Sequence, residues 1–138
     1  MIQRIPRDRG TLIFGQGESA GRGNSSEVLL GYLLGADFNV TTDQAITITA
    51  GYRVTRIEVQ NSSTNMTTAA GGFYSAATKG GTAIVANTQV YTALTDAAQV
   101  LNCTIAAVLS GLTTVYFSLT TGQGAAATAD IRIYGLPA

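Results

Sequence analysis

The sequence predicts an all-β fold: an antiparallel β-sandwich with jelly-roll-like connectivity, preceded by an extended N-terminal arm. Three observations predict it. Apolar and polar residues alternate with period two through much of the chain beyond Val28, turn residues interrupt that alternation at short intervals, and helical patterning is scarce. At 138 residues the chain is long enough for one substantial core and too short for two.

Residues 1–27 read as the arm and residues 28–138 as the sandwich domain. The arm is rich in Gly and shows no sustained period, yet it holds Arg4, Arg7, Arg9 and Arg22, half of the eight basic residues. Gly15-Gln16-Gly17 and Gly21-Arg22-Gly23-Asn24 resemble nucleotide-loop glycines only superficially. A dinucleotide fingerprint needs a buried strand before it and a helix after it, and neither is readable here. Such a segment gains order by lying on another surface. Its four arginines are the candidate contact residues, because a guanidinium can hold a carboxylate through two parallel hydrogen bonds.

The strands follow in order. Val28–Leu34 is a candidate; Ile46 and Ile48 alternate with Thr47 and Thr49; Ile57 and Val59 alternate with Glu58 and Gln60. Gly72–Ala76, Thr82–Ala86, Gln89–Leu94 and Val100–Val108 are further candidates. Val115, Phe117 and Leu119 are expected to face one side, with Tyr116, Ser118 and Thr120 on the other. Ile131 and Ile133 alternate with Arg132 and Tyr134. Turns are expected at Ala50-Gly51, Asn61–Asn65, Lys79-Gly80-Gly81, Thr95-Asp96 and Gly122-Gln123-Gly124. The alanines of Asp96–Leu109 would support a short helix, but Val, Thr and Ile at its centre favour strand. The uncharged run Ala97–Ala129 is broken by polar residues and Ser110-Gly111, which fits two strands and a turn better than a membrane span.

The residue inventory argues against most catalysis. The chain has no His, so Ser-His-Asp and Cys-His nucleophile systems and His-based metal sites are absent. Cys103 is alone, which excludes a disulfide within the chain and reads as a small buried apolar group. The acids Asp37, Asp43, Glu58, Asp96 and Asp130 are expected at turns or outward strand positions, serving turn chemistry or subunit ion pairs. Asp37, Asn39 and Asp43 are the oxygen cluster nearest to a calcium site, but their spacing matches no calcium loop. Six tyrosines (Tyr32, Tyr52, Tyr74, Tyr91, Tyr116 and Tyr134) offer a sugar-stacking platform, or more simply the rim of a core. We therefore expect no catalytic residues, no cofactor and no metal.

Eight basic and eight acidic residues cancel, which argues against a general nucleic-acid or anionic-membrane binder. From Val59 to Ala129 the charged side chains are Lys79 and Asp96 alone. A surface so poor in charge suits flat contacts in an assembly, where desolvating ions would be costly. These observations point to a structural subunit before an enzyme.

Three segments carry a resemblance. They are Ile57–Ser63 (IEVQNSS), Ala70–Val85 (AGGFYSAATKGGTAIV) and Tyr116–Asp130 (YFSLTTGQGAAATAD). Together they resemble a group of small virion structural proteins of tailed bacteriophages, over roughly residues 44 to 135. The resemblance implies a capsid decoration (cement) protein on the capsid exterior; the Arg-rich Met1–Gly10, which lacks the apolar stretch of a signal peptide, leads us to expect synthesis in the host cytoplasm. It implies the major capsid protein as partner and self-association as a homotrimer. A carbohydrate-binding spike or adhesin, or a tail accessory domain, is the alternative.

Overall fold

The structure, a computed structural model, describes residues 26–138. The four arm arginines lie outside the described residues. Eight strands follow one another: β1 (Val28–Asp37), β2 (Gln44–Thr47), β3 (Tyr52–Gln60), β4 (Ala70–Ala76), β5 (Gly80–Val85), β6 (Val100–Asn102), β7 (Thr114–Thr121) and β8 (Thr128–Pro137). They form two four-stranded sheets, ordered β1-β8-β3-β6 and β2-β7-β4-β5. Every neighbouring pair is antiparallel. No helix occurs among the described residues.

The pairs β1·β8, β2·β7, β3·β6 and β4·β5 nest as in one long hairpin with β1–β4 as one arm and β5–β8 as the other. Rolling that hairpin brings β3 against β8 and β4 against β7, which completes each sheet.

Period-two patterning explains which side of each strand is buried. Val115, Phe117 and Leu119 of β7 point into the space between the sheets, as do Ala129, Ile131 and Ile133 of β8. Bulges adjust the pattern where strict alternation would fail. The irregularity between Val54 and Arg56 lets Val54, Ile57 and Val59 all point inward. Two more on β1 do the same for Leu30 and Ala36.

Two strand expectations need correction. Gln89–Leu94 is not a strand. Gln89 N donates to Ala86 O and Leu94 N to Tyr91 O, so consecutive turns occupy backbone groups that a ladder would need. Only Val90 makes an isolated bridge, to Ala70. Val100–Val108 keeps strand pairing only through Asn102. Beyond it, Cys103 N donates to Ile57 O of β3 while Ala106 N donates to Ile84 O of β5. The chain is crossing from one sheet to the other and cannot continue a single ladder. Ser118 keeps the expected side of β7, opposite Phe117 and Leu119, and is buried there with its hydroxyl donating to Thr41 O of the β1–β2 loop at 3.4 Å.

The core centres on an aromatic cluster. Phe117 lies 4.8 Å from Phe38 and 4.9 Å from Phe73, ring centre to ring centre, and Tyr91 meets it edge-on at 6.4 Å. The Tyr91 hydroxyl donates to Gly71 O at 3.0 Å, so its one polar group is satisfied inside the core. Cys103 is also buried, and burial pushes its thiol up to about 12, as expected for an inert core residue. Truncating Phe117 to Ala removes the shared centre of the cluster. We expect a loss of about 3–5 kcal/mol, read from denaturant unfolding.

The β4–β5 turn is tight, but it is Ala77-Thr78-Lys79 and not the expected Lys79-Gly80-Gly81, whose two glycines already belong to β5. Gly80 N donates to Ala77 O, and both central residues lie at positive φ, Thr78 at 56° and Lys79 at 57°. That backbone favours Asn-Gly, and a β-branched Thr there is strained. The neighbouring β1–β2 loop holds it: the Asp43 carboxylate accepts from Thr78 N, and Lys79 Nζ donates to Thr41 O at 3.0 Å. Gly81 follows at φ 66°, where an added Cβ would meet Ser75 Oγ. Thr78→Asn is therefore expected to stabilise by about 1 kcal/mol. Replacing Gly80 and Gly81 together by Val should lower melting temperature and soluble yield. Unchanged melting of both variants would contradict this account of the turn.

Candidate functional site on the outer face of the first sheet

The side of the β1-β8-β3-β6 sheet that faces away from the core carries most of the described charged and exposed apolar groups. Its pairing register sets them in rows. One row runs Leu29 (β1), Tyr134 (β8), Arg56 (β3); the next runs Tyr32 (β1), Arg132 (β8), Glu58 (β3), Asn102 (β6). A third places Asp130 of β8 beside Gln60 of β3 and Val100 of β6.

Arg56 organises the first row. Its Nε donates to Glu27 at 2.8 Å, one Nη donates to Glu58 at 2.6 Å, and its guanidinium carbon lies 3.9 Å from the centre of the Tyr134 ring. Stacking a guanidinium on an aromatic face while its edges hold carboxylates uses both features of its planar fork. Glu27, immediately before β1, also accepts from the Thr55 hydroxyl. The Thr55 hydroxyl and then the Arg56 guanidinium hold the Glu27 carboxyl below the usual glutamate range. Glu27 correspondingly raises Arg56, which stays protonated.

Arg132 is different. Its Nη1 is buried and has no hydrogen-bond partner among the described residues, although Glu58 lies beside it in register. Next to it β1 presents apolar side chains outward: Leu29 is 46% exposed and Tyr32 and Leu34 are each 57% exposed.

The acids read from the sequence are occupied in turns and ion pairs. Asp37 accepts from Asn39 N, Asp96 accepts from Ala98 N, and Asp130 accepts from Gly35 N and from the Asn61 side chain. Asp43 holds the strained turn and Glu58 holds Arg56. Asp37, Asn39 and Asp43 thus each have a local role. Among the described residues no three or more Cys, Asp or Glu gather as a metal-holding group.

The tyrosines do not converge. Tyr91 and Tyr74 are buried, Tyr134 lies under Arg56, and Tyr32 is the one with a widely exposed ring. Surface depressions elsewhere among the described residues offer no better site. One, of about 330 Å³, is lined by neutral residues including Thr88, Gln89, Val90 and Thr104. Another, of about 390 Å³, flanks the strained turn, and its Asp43 and Lys79 are already engaged.

Sequence reasoning missed this face. The signal was present in Val28-Leu29-Leu30-Gly31-Tyr32-Leu33-Leu34, which is apolar on both sides instead of alternating. No family model, no curated protein and no solved structure compared with this chain matches it.

The Glu27 contacts generate a pH prediction. A carboxyl held below its ordinary range contributes stability that is present above that range and is lost as pH falls through the folded value. Glu27→Gln should cost at most about 1 kcal/mol near neutral pH, because the pair is partly solvated. The difference from the unsubstituted chain should vanish in acid, below the glutamate range. Thermal melts of both proteins across that interval test it, and a difference that persists in acid would exclude an ionic origin.

Proposed function

We propose that this chain is a virion structural protein of a tailed bacteriophage, a capsid decoration (cement) protein that binds the major capsid protein and stabilises the head. One observation carries the structural-subunit reading. Across Val59–Ala129 the two charged side chains are both turned to internal use: Lys79 donates to Thr41 O, and Asp96 caps its own turn at Ala98 N. The rest of that stretch offers neutral polar and apolar groups, with Val90, Val100 and Val108 exposed. Such a surface meets a partner without stripping water from ions. The resemblance of Ile57–Ser63, Ala70–Val85 and Tyr116–Asp130 to phage virion proteins supports the phage assignment.

The mechanism is mechanical. A protein that binds the closed shell and not the opened one adds its binding free energy to the cost of opening. Closed symmetry is the usual way to satisfy self-complementary neutral surfaces, which supports the homotrimer. The arm arginines Arg4, Arg7, Arg9 and Arg22 remain the proposed contacts to an acidic groove of the capsid.

Copy number in the particle tests the assignment. Quantitative mass spectrometry should find this chain in stoichiometric proportion to the major capsid subunit. Recovery in the few copies typical of a tail or vertex would favour the tail accessory alternative, and absence from the particle would reject both. Attachment should weaken with salt, because arginine–carboxylate contacts at a surface are screened. Binding on a glycan array would favour the adhesin.

A further inference from the structure

The first strand is built like a strand covered on both sides. Near-continuous apolar sequence is the pattern of strands buried on both faces, whereas strands with one wet face alternate. β1 buries Leu30 and Ala36 inward, yet among the described residues its Tyr32 and Leu34 stay exposed on the outer face. Beside them, Arg132 Nη1 is shut off from water and has no acceptor among those residues. A charged donor left so is costly. The strip calls for an occupant with apolar side chains and a carboxylate.

The same face of a second copy meets that description. The outward residues of β8 run Thr128, Asp130, Arg132, Tyr134, because Ala129, Ile131 and Ile133 between them point into the core. Opposite charges at consecutive outward positions, about 7 Å apart, make a pattern that matches its own reverse. Laid antiparallel on itself and centred between Asp130 and Arg132, β8 sets each Arg132 against the other copy's Asp130. The flanking strands fit the same centre. Register puts Tyr32 of β1 level with Arg132, and the Leu34-Gly35 irregularity level with Asp130, whose carboxylate accepts from Gly35 N at 2.8 Å. On the other side of β8, Glu58 of β3 is level with Arg132 and Gln60 with Asp130. One two-fold axis therefore sets Tyr32 on Leu34 and the Glu58 carboxylate on the Gln60 amide, each twice.

We propose that the outer face of the β1-β8-β3-β6 sheet is a two-fold contact with a second copy of this chain, β8 lying antiparallel on β8 and Arg132 donating to the second copy's Asp130. Sheets packed face to face keep their strand directions within about 30°, so the alignment holds over these central rows. A two-fold axis along the strands would instead set Arg132 on Arg132 and Asp130 on Asp130, like charge on like. Asp130 can take the extra bond. Its Oδ1 accepts from Gly35 N and its Oδ2 from the Asn61 side chain, which leaves a lone pair on each oxygen. Arg132 turns its guanidinium outward to reach that carboxylate and gains the acceptor it lacks. The proposal rests on neither the virion reading nor the trimer. A three-fold elsewhere on the surface combines with this two-fold into a hexamer, and breaking the two-fold then leaves the trimer, so the two readings fail separately.

The contact is read from particle mass in solution, by sedimentation equilibrium of the full-length chain. The unaltered protein should contain an even number of chains. Asp130→Arg sets arginines against arginines across the axis, and Arg132→Asp sets acids against acids, so each variant alone should show half the mass. Mixed in equal amounts, the two variants restore opposite charges at both positions, and the full mass should return. Melting curves check that each variant folds. Because Asp130 also holds Gly35 and Asn61, a second measurement leaves it in place. Tyr32→Cys mixed with Leu34→Cys should form an interchain disulfide on mild oxidation several-fold faster than either variant alone; Cys103 is buried and does not compete. An odd number of chains in the unaltered particle would overturn the proposal, as would a mass indifferent to folded Arg132→Asp. Failure of the mixed charge variants to regain mass would overturn the register, and so would cysteine pairs that join no faster than the single variants.

Discussion

The contact of Phe117 with Phe38, Phe73 and Tyr91 is the constraint on which the rest of the sandwich depends. These four rings come from different parts of the rolled hairpin: β7, the corner after β1, β4, and the turns after β5. None of these segments is close to all the others in sequence, so the cluster forms only when the roll closes. Backbone bonds then lock the corner, because Phe38 N donates to Ala127 O and Phe38 O accepts from Gln123 N. The Gln123 side chain extends the lock by accepting from Thr68 N and Ala69 N and donating to Asn65 O. One amide thereby ties the loop before β4 to the turn before β8. In this small fold the packing of the rings and the pairing of the strands support each other.

The crossing from Cys103 to Ala107 has a comparable role at the opposite edge. It takes a backbone bond from β3 in one sheet and another from β5 in the other. Both edges would otherwise present unpaired groups, which are templates for unwanted pairing. The edge at β1 is closed differently, where Thr49 N and its hydroxyl both donate to Leu30 O. An added Cβ at Gly31 would strike Thr47 O, so the close approach of that segment requires glycine there. Edge protection here comes from irregular backbone laid along the strands. Charge does little of it, in keeping with a surface that has few ions.

The charges that do exist are concentrated on one face and are used to shape it. Arg56 is held by two carboxylates and an aromatic ring, a set that fixes a long side chain against the sheet. Fixing Arg56 engages Glu58 and leaves the neighbouring Arg132 without that acceptor. The same face carries the exposed apolar residues of β1. A chain otherwise sparing with ions thus places, among the described residues, paired charge, a guanidinium nitrogen without an acceptor and apolar surface side by side, which is the composition of a contact surface and not of a solvated one.

Much of the fold was determined by the sequence alone. Period-two alternation located most of the strands and the inward sides of β3, β7 and β8, and turn residues marked the ends. The loop at Gly122-Gln123-Gly124 followed from residue type, because backbone geometry there is a local matter. The β4–β5 turn instead falls ahead of its glycines, on Ala77-Thr78-Lys79, where Thr41 and Asp43 of another loop hold it. Gln89–Leu94 and Cys103–Val108 could not be judged this way. Their residues suit a strand, but their backbone groups are claimed by turns in the first segment and by two different sheets in the second. The candidate face was equally hidden. That Arg56 would take Glu58 and leave Arg132 Nη1 without an acceptor among the described residues depends on register across three strands and on Glu27 folding back over them. Alternation shows that Tyr32 and Arg132 point outward from their own strands, but only the tertiary pairing makes them neighbours. Local chemistry sets which way a side chain points, and the closure of the roll decides what it meets.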